Sequence, residues 1–372
     1  MQFVPNYLGI SCSKLNSCAI DNQTCFESNH VCVKHTRCHN QPRCYPIDMA
    51  THDMWPSMTT MTTSPSIIDD GICASAIWNK NGTTVAGGNE YGSELNQLDH
   101  PYGIFVDDHA NVYIADAYNS RIVKWAFGVS TGEVVVGWNG TGDRSDEIDY
   151  ATSVVFDKNG TMFICDNAKS RVKRWFKGDD YGQIIIANIS CFGLVLDNEG
   201  SLYVTDRYQV IKWPSGEVVA GNNKEGGALN QLAYPFHLFV DQDQSVFVPD
   251  ASNYRVVKWI VGAKEGMVVA GDNGLGDEAN QTNWPTSAIT DKMGTVYVAE
   301  WGNHRITRWF KDSKSGIVIL GGDRGKEAYQ LAFPTSLAFD RQGNLYVADL
   351  DYNRIQMFTI DKRSCHAVPP SS

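Results

Sequence analysis

From Cys73 onward the chain is a succession of short runs in which apolar and polar residues alternate, separated by breaks rich in Gly, Asn and Asp, with almost no helical spacing. In the first clear unit Pro101-Tyr-Gly-Ile-Phe-Val-Asp107 predicts a strand, Asp108-His-Ala-Asn111 a turn, and Val112-Tyr-Ile-Ala-Asp116 a returning strand. Ala117-Tyr-Asn119 turns again, Arg121-Ile-Val-Lys-Trp125 is a third strand, and Glu133-Val-Val-Val-Gly137 a fourth. The unit recurs. An Asp stands nine residues before an acid in the pairs Asp107/Asp116, Asp157/Asp166, Asp197/Asp206, Asp241/Asp250, Asp291/Glu300 and Asp340/Asp349.

The turns carry their own chemistry. Asp157-Lys-Asn-Gly160, Asp197-Asn-Glu-Gly200, Asp291-Lys-Met-Gly294 and Asp340-Arg-Gln-Gly343 put Asp first and Gly fourth, which suits a type I turn ending in a left-handed residue. Third strands end at Trp125, Trp175, Trp213, Trp259, Trp309 and Phe358, and in five of them an Arg stands four residues earlier: Arg121, Arg171, Arg255, Arg305 and Arg354. That even spacing puts Arg and aromatic on one face. The third unit departs, with Gln209 in the Arg position and two residues lost before it.

Six four-stranded meanders, each with an apolar face that only a neighbour can cover, predict a closed ring: an all-β, six-bladed β-propeller. Fourth strands are predicted at 133–137, 183–187, 217–221, 267–271 and 317–321, and none follows the last unit. The missing strand is assigned to Thr83-Thr-Val-Ala-Gly87, so that the N-terminal strand completes the sixth blade. Cys73 and Cys365 then become neighbours, and a disulfide between them would lock the clasp. For Cys165 and Cys191 an inter-blade bridge and two buried thiols both stay open.

With these motifs set out, the units resemble NHL repeats. Asn303-His-Arg-Ile306, Asn353-Arg-Ile355 and Asn119-Ser-Arg-Ile122 carry the likeness best, and Val-Ala-Gly-Gly-Asn at 85–89 with Leu-Asn-Gln-Leu at 95–98 is similar to the secreted and cell-surface branch. The likeness covers about residues 77–360 and implies a six-bladed propeller. Some related propellers are zinc-dependent peptide-amidating lyases, and the likeness implies an enzyme of the lyase or hydrolase kind centred on the channel as the alternative function. Another branch joins its propeller to a ubiquitin-ligase RING domain, but the N-terminal cysteines here lack RING spacing.

Outside the repeats, Cys12, Cys18, Cys25, Cys32, Cys38 and Cys44 crowd residues 1–49 without any C-x-x-C pair, and are taken as a disulfide-rich module of unknown pairing. Residues 50–71 form a Thr/Ser/Pro-rich linker, residues 72–366 the propeller and 367–372 a tail. Disulfides imply an extracellular, secreted protein, although no signal peptide is visible at Met1, so the chain is expected to lack its true beginning or to be processed. Sequons at Asn22, Asn81, Asn139, Asn159, Asn188 and Asn280 are candidate glycosylation sites. No apolar run approaches the roughly 18–20 residues of a membrane span.

Charge then narrows the partners. Residues 1–72 carry four basic and six acidic side chains, so −9 of the net charge of −11 belongs to the repeats and opposes nucleic acid. First strands should line the channel with Gly103, Ser153, Gly193, His237, Ser287 and Ser336, and His237 with Ser153, Ser287 and Ser336 forms the candidate ligand site. One channel histidine is too few for a zinc site with three protein nitrogens, and no G-x-S-x-G elbow occurs. The series Asp116, Asp166, Asp206, Asp250, Glu300 and Asp349 is read as architectural, with a cation-holding ring as the alternative. No catalytic residue and no cofactor is expected; calcium or zinc is the metal the alternatives would use. The expected role is a non-catalytic binding module for a protein, peptide or glycan, with specificity in the variable loops.

Overall fold

The computed structural model describes residues 30–34, 42–46, 72–137, 141–142, 144–222 and 224–365. The chain divides into two units, Met1–Ser66 and Ile67–Ser372. In the first, β1 (His30–Lys34) pairs antiparallel with β2 (Pro42–Pro46), with Cys32 opposite Cys44 in register. Cys12, Cys18, Cys25, Cys38 and the sequons at Asn22 and Asn139 lie outside the described residues.

The second unit holds six four-stranded antiparallel sheets. Blade one is β4 (Pro101–Val106), β5 (Val112–Asp116), β6 (Arg121–Trp125) and β7 (Glu133–Val136). Blade two is β8 (Ala151–Phe156), β9 (Met162–Asp166), β10 (Arg171–Trp175) and β11 (Gln183–Ala187); blade three is β12 (Cys191–Leu196), β13 (Leu202–Asp206), β14 (Gln209–Trp213) and β15 (Glu217–Gly221). Blade four is β16 (Phe239–Val240), β17 (Val246–Asp250), β18 (Arg255–Trp259) and β19 (Met267–Gly271); blade five is β20 (Pro285–Thr290), β21 (Val296–Glu300), β22 (Arg305–Trp309) and β23 (Ile317–Gly321). Blade six is β24 (Pro334–Phe339), β25 (Leu345–Asp349) and β26 (Arg354–Phe358), completed by β3 (Thr83–Gly87). The N-terminal strand closes the ring, pairing Arg354 with Gly87 and Met357 with Thr83.

The predicted turns form as their residues dictate. Asp157 Oδ1 accepts the backbone N–H groups of Asn159 and Thr161, both at 2.8 Å, and Gly160 takes φ +81° to complete the hairpin. Between blades lies the core. Ala115 and Ile122 of blade one pack with Met162, Ile164 and Trp175 of blade two, and each further junction repeats the scheme. The terminal aromatics Trp125, Trp175, Trp259, Trp309 and Phe358 are buried there.

The clasp extends beyond β3. Trp78 is 3% exposed, stacks on Phe339, meets Tyr297 edge-on and donates its indole N–H to the Gly343 carbonyl. Arg308 donates to the Ala76 carbonyl, and Cys73 is disulfide-bonded to Cys365. Cys165 and Cys191 are also joined, tying β9 of blade two to β12 of blade three.

Two blades depart from the pattern, each for a visible reason. In blade four the first strand is reduced to Phe239–Val240, because the His237 backbone turns to blade five: its N–H donates to the Thr286 carbonyl and the residue bridges Ser287 in parallel. Blade three is trimmed at three places. Its entry connection is residues 188–190, where blade one has 88–100; its second turn is 207–208 instead of four residues; and its last connection is 214–216, where blade one has 126–132. Trp213, unlike its five counterparts, is left half-buried.

Candidate functional site

Period-two alternation along the first strands brings one residue of each blade to a common level of the channel. Here Gly103, Ser153, Gly193, His237, Ser287 and Ser336 meet, as their spacing predicts. The three hydroxyls are engaged between blades: Ser153 Oγ accepts the Leu194 N–H at 3.1 Å, Ser287 Oγ the Leu337 N–H at 3.2 Å, and Ser336 Oγ the Ile104 N–H at 3.3 Å. Both glycines allow close approach. A Cβ on Gly103 would stand 2.6 Å from the Thr152 carbonyl oxygen, and one on Gly193 would stand 2.7 Å from that of Phe236.

His237 closes the channel at this level. Its Cε1 would lie only 3.0 Å from a Cβ on Gly103, so the ring spans from blade four to the opposite blade. The imidazole is 7% exposed and its buried Nε2 has no partner. Burial disfavours the charged ring and lowers its pKa to about 4, leaving it neutral at physiological pH.

Above this floor, on the side of the turns between first and second strands, opens a cavity of about 930 Å³. Its walls include Phe105, Val155, Val195, Phe239, Ile289 and Ala338, each two residues beyond a floor position and each half-buried. The rim carries both signs: Asp241, Asp291 and Asp340 with Lys258, Lys311 and Arg341. Five of these are already engaged: Asp241 pairs with Lys258 at 3.2 Å, Asp291 Oδ2 accepts the Tyr297 hydroxyl at 3.0 Å, Asp340 Oδ2 accepts Asn344 Nδ2 at 2.8 Å, and Arg341 pairs with Asp108. The site is therefore an apolar well with a mixed-charge mouth and a polar, uncharged floor.

The second acidic series has a different use. Asp116 Oδ1 accepts the Asp99 N–H at 2.7 Å, while its Oδ2 accepts Arg121 Nε at 2.7 Å and Asn119 Nδ2 at 2.9 Å. Arg121 passes on to the carbonyls of Ser93, Glu94 and Gln97, so the pair pins the connection that enters the blade. Asp166 with Arg171, Asp250 with Arg255, Glu300 with Arg305 and Asp349 with Arg354 repeat the ion pair, and all five acids are fully buried. In blade three Asp206 is held by the Ser190 N–H and Gln209 Nε2. In five blades the carboxylate thus faces its own blade's arginine, and among the described residues no three His, Cys, Asp or Glu side chains converge to hold a metal ion.

Burial also sets a pH dependence. The unfolded imidazole titrates near 6.5 and the folded one near 4, so the folded state binds fewer protons between those values, and His237 contributes stability above pH 6.5 that is lost as pH falls toward 4. The full loss is about 3 kcal/mol. Asp349 works in the opposite sense: burial raises it to about 6 against the pull of Arg354, so its contribution is present at low pH and lost as pH rises through 6. The difference between wild type and His237→Gln in denaturant titrations isolates the histidine. It should shift by about 3 kcal/mol between pH 7 and pH 4; parallel stability curves would contradict the neutral, buried ring.

No protein-family model and no curated protein sequence matches the chain. Solved structures do. A Bacteroides thetaiotaomicron protein of unknown function superposes with TM-score 0.60 at 14% identity, covering 76% of each chain. An auxiliary nutrient binding protein from Bacteroides ovatus gives 0.58 at 12% identity, covering 77% of each, and a streptogramin B lyase 0.50 at 13%, covering 76% of this chain and 98% of that one. At these identities the likeness establishes the fold alone. The chain is a six-bladed β-propeller.

The exposed sequons are Asn81, Asn159, Asn188 and Asn280. The cavity walls were not singled out from the sequence, although the signal was there: each stands two places after a channel residue. Among the described residues no helix is long and apolar enough to cross a membrane.

Proposed function

We propose that this chain is an extracellular propeller of the NHL-repeat type that binds a protein or peptide ligand at the channel mouth without transforming it. The supporting observation is the well itself, about 930 Å³ with apolar walls, a closed floor and a rim of both signs. Such a site suits an apolar side chain flanked by charged groups of either sign. A glycan would find only the rim for its hydroxyls. The module at 1–49 with its linker serves as a second contact or tether, and the disulfides at Cys73–Cys365 and Cys165–Cys191 fit an oxidising compartment.

Panning a displayed random-peptide library against the purified chain tests this. Captured peptides should share an apolar residue between charges and bind Ala338→Glu, which fills and charges the well, at least roughly tenfold more weakly, a loss of about 1.4 kcal/mol. Tyr234→Ala, an exposed residue ahead of the blade-four first strand, should leave binding unchanged. Equal affinity for Ala338→Glu would remove the site, and chemical alteration of a bound peptide would favour the channel-centred enzyme.

A further inference from the structure

Blade three lacks what the other five blades have in common. In those blades the entering connection runs along the outer strands, and its backbone carbonyl accepts the N–H of the Gly before the fourth strand. These bonds are Leu95 O to Gly132, Ser145 O to Gly182, Leu229 O to Gly266, Ala279 O to Gly316 and Ala328 O to Gly82, at 2.6–2.9 Å. Each connection thereby covers a buried terminal aromatic. In blade three only residues 188–190 remain, and Ile189, 2% exposed, still plugs the interior as Leu98 and Ile148 do. The covering part is gone. Ile211 and Trp213 are left half-buried.

The chemistry of this notch disfavours a peptide as its cover. The Arg fork that holds the other connections by their carbonyls is here Gln209, which is turned to Asp206, and Gly216 N–H already donates to Lys212 O. What remains is an apolar and aromatic floor that lacks the arginine fork and the free glycine N–H by which the other blades hold their connections. At the Gln209 end of the notch, on the side away from the well, where the chain leaves β11 and the other connections begin, stands exposed Asn188 in the sequon Asn188-Ile189-Ser190.

We propose that Asn188 carries an N-linked glycan whose sugars lie down in this notch over Ile211 and on toward Trp213, taking the path of the missing connection. The inference rests on the secretory reading above. A pyranose has an apolar face that packs on an indole while its hydroxyls stay in water, so it can cover this floor without the donors a peptide backbone would need. The sugar is thus a structural part of the blade. The sequon on Asn159, in an exposed hairpin turn, offers no such floor and serves as the internal control.

The test uses the full chain from a eukaryotic secretory host, with glycopeptide mass spectrometry, native release by a peptide N-glycosidase, and melting of Ser190→Ala and Ser190→Thr. Asn188 should be occupied, and its glycan released roughly tenfold more slowly than that on Asn159 because the first sugar is covered. Ser190→Ala should lower the melting temperature by a few degrees, and Ser190→Thr, which keeps the sequon, should not. A bare Asn188 beside an occupied Asn159 or Asn81 would overturn this inference and leave the secretory reading standing; sugar at no site would overturn both. Occupancy with equally fast release, or equal melting of the two variants, would show that the glycan does not pack on the blade.

Discussion

Replacing Cys73 and Cys365 together by serine is expected to lower the unfolding free energy by about 5–6 kcal/mol, the chain-entropy value for a loop this long. The separation is 292 residues, so the bond constrains nearly the whole propeller in its unfolded state. The Cys165–Cys191 bond, with a separation of 26, is worth about 3.5 kcal/mol on the same scale. Position adds to length. A ring closed by one strand fails first at the clasp, and β3 is held there by its ladder to β26, by Trp78 under Gly343 and by the disulfide. Guanidinium denaturation of wild type and the double variant, each with Cys165–Cys191 intact, measures the difference. A loss below about 1 kcal/mol would mean that the clasp is held by packing alone, with the unfolded chain too compact to gain from release.

Much of this architecture is legible in the chain because the same local problem is solved six times. The acid nine residues after each turn Asp, the Arg and the terminal aromatic fix the second and third strands, and the absence of a fourth strand after Phe358 directs attention to Thr83–Gly87. Channel residues follow from alternation alone. Legibility ends where tertiary contacts replace repetition. Nothing local says that the His237 backbone pairs with blade five and shortens its own strand, or that its ring reaches Gly103 on the opposite blade. The loss of two residues before Gln209 is visible, but the reason is not: only the fold shows that Arg and entering connection belong together, so that a blade without the connection needs no Arg. The walls of the well obey the same alternation, two places after each channel residue, but as apolar side chains they look like ordinary core positions.

That partnership yields the second large effect. Arg255→Met should cost about 3–5 kcal/mol, because it strands a buried carboxylate and releases a loop at once. Arg255 is 2% exposed; its Nε binds Asp250 Oδ2 at 2.8 Å, and its terminal nitrogens hold the carbonyls of Gly227, Ala228 and Gln231. Burial already raises the pKa of Asp250, opposed by the Ala233 N–H, Asn253 and Arg255, so removing the arginine pushes it further up and the acid takes a proton. Asp250→Asn in the Arg255→Met background should therefore recover more than about 1 kcal/mol of the loss, a coupling that a double-mutant cycle in urea reads directly. Additive effects would mean that the two side chains act separately. Gln209→Arg supplies the contrast: Asp206 is only half-buried and no connection lies within the blade for an arginine to hold. The substitution should add less than about 1 kcal/mol, the worth of a partly exposed pair, whereas a gain equal to the loss at Arg255 would show that the arginine stabilises through its acid alone and that the connections are passengers.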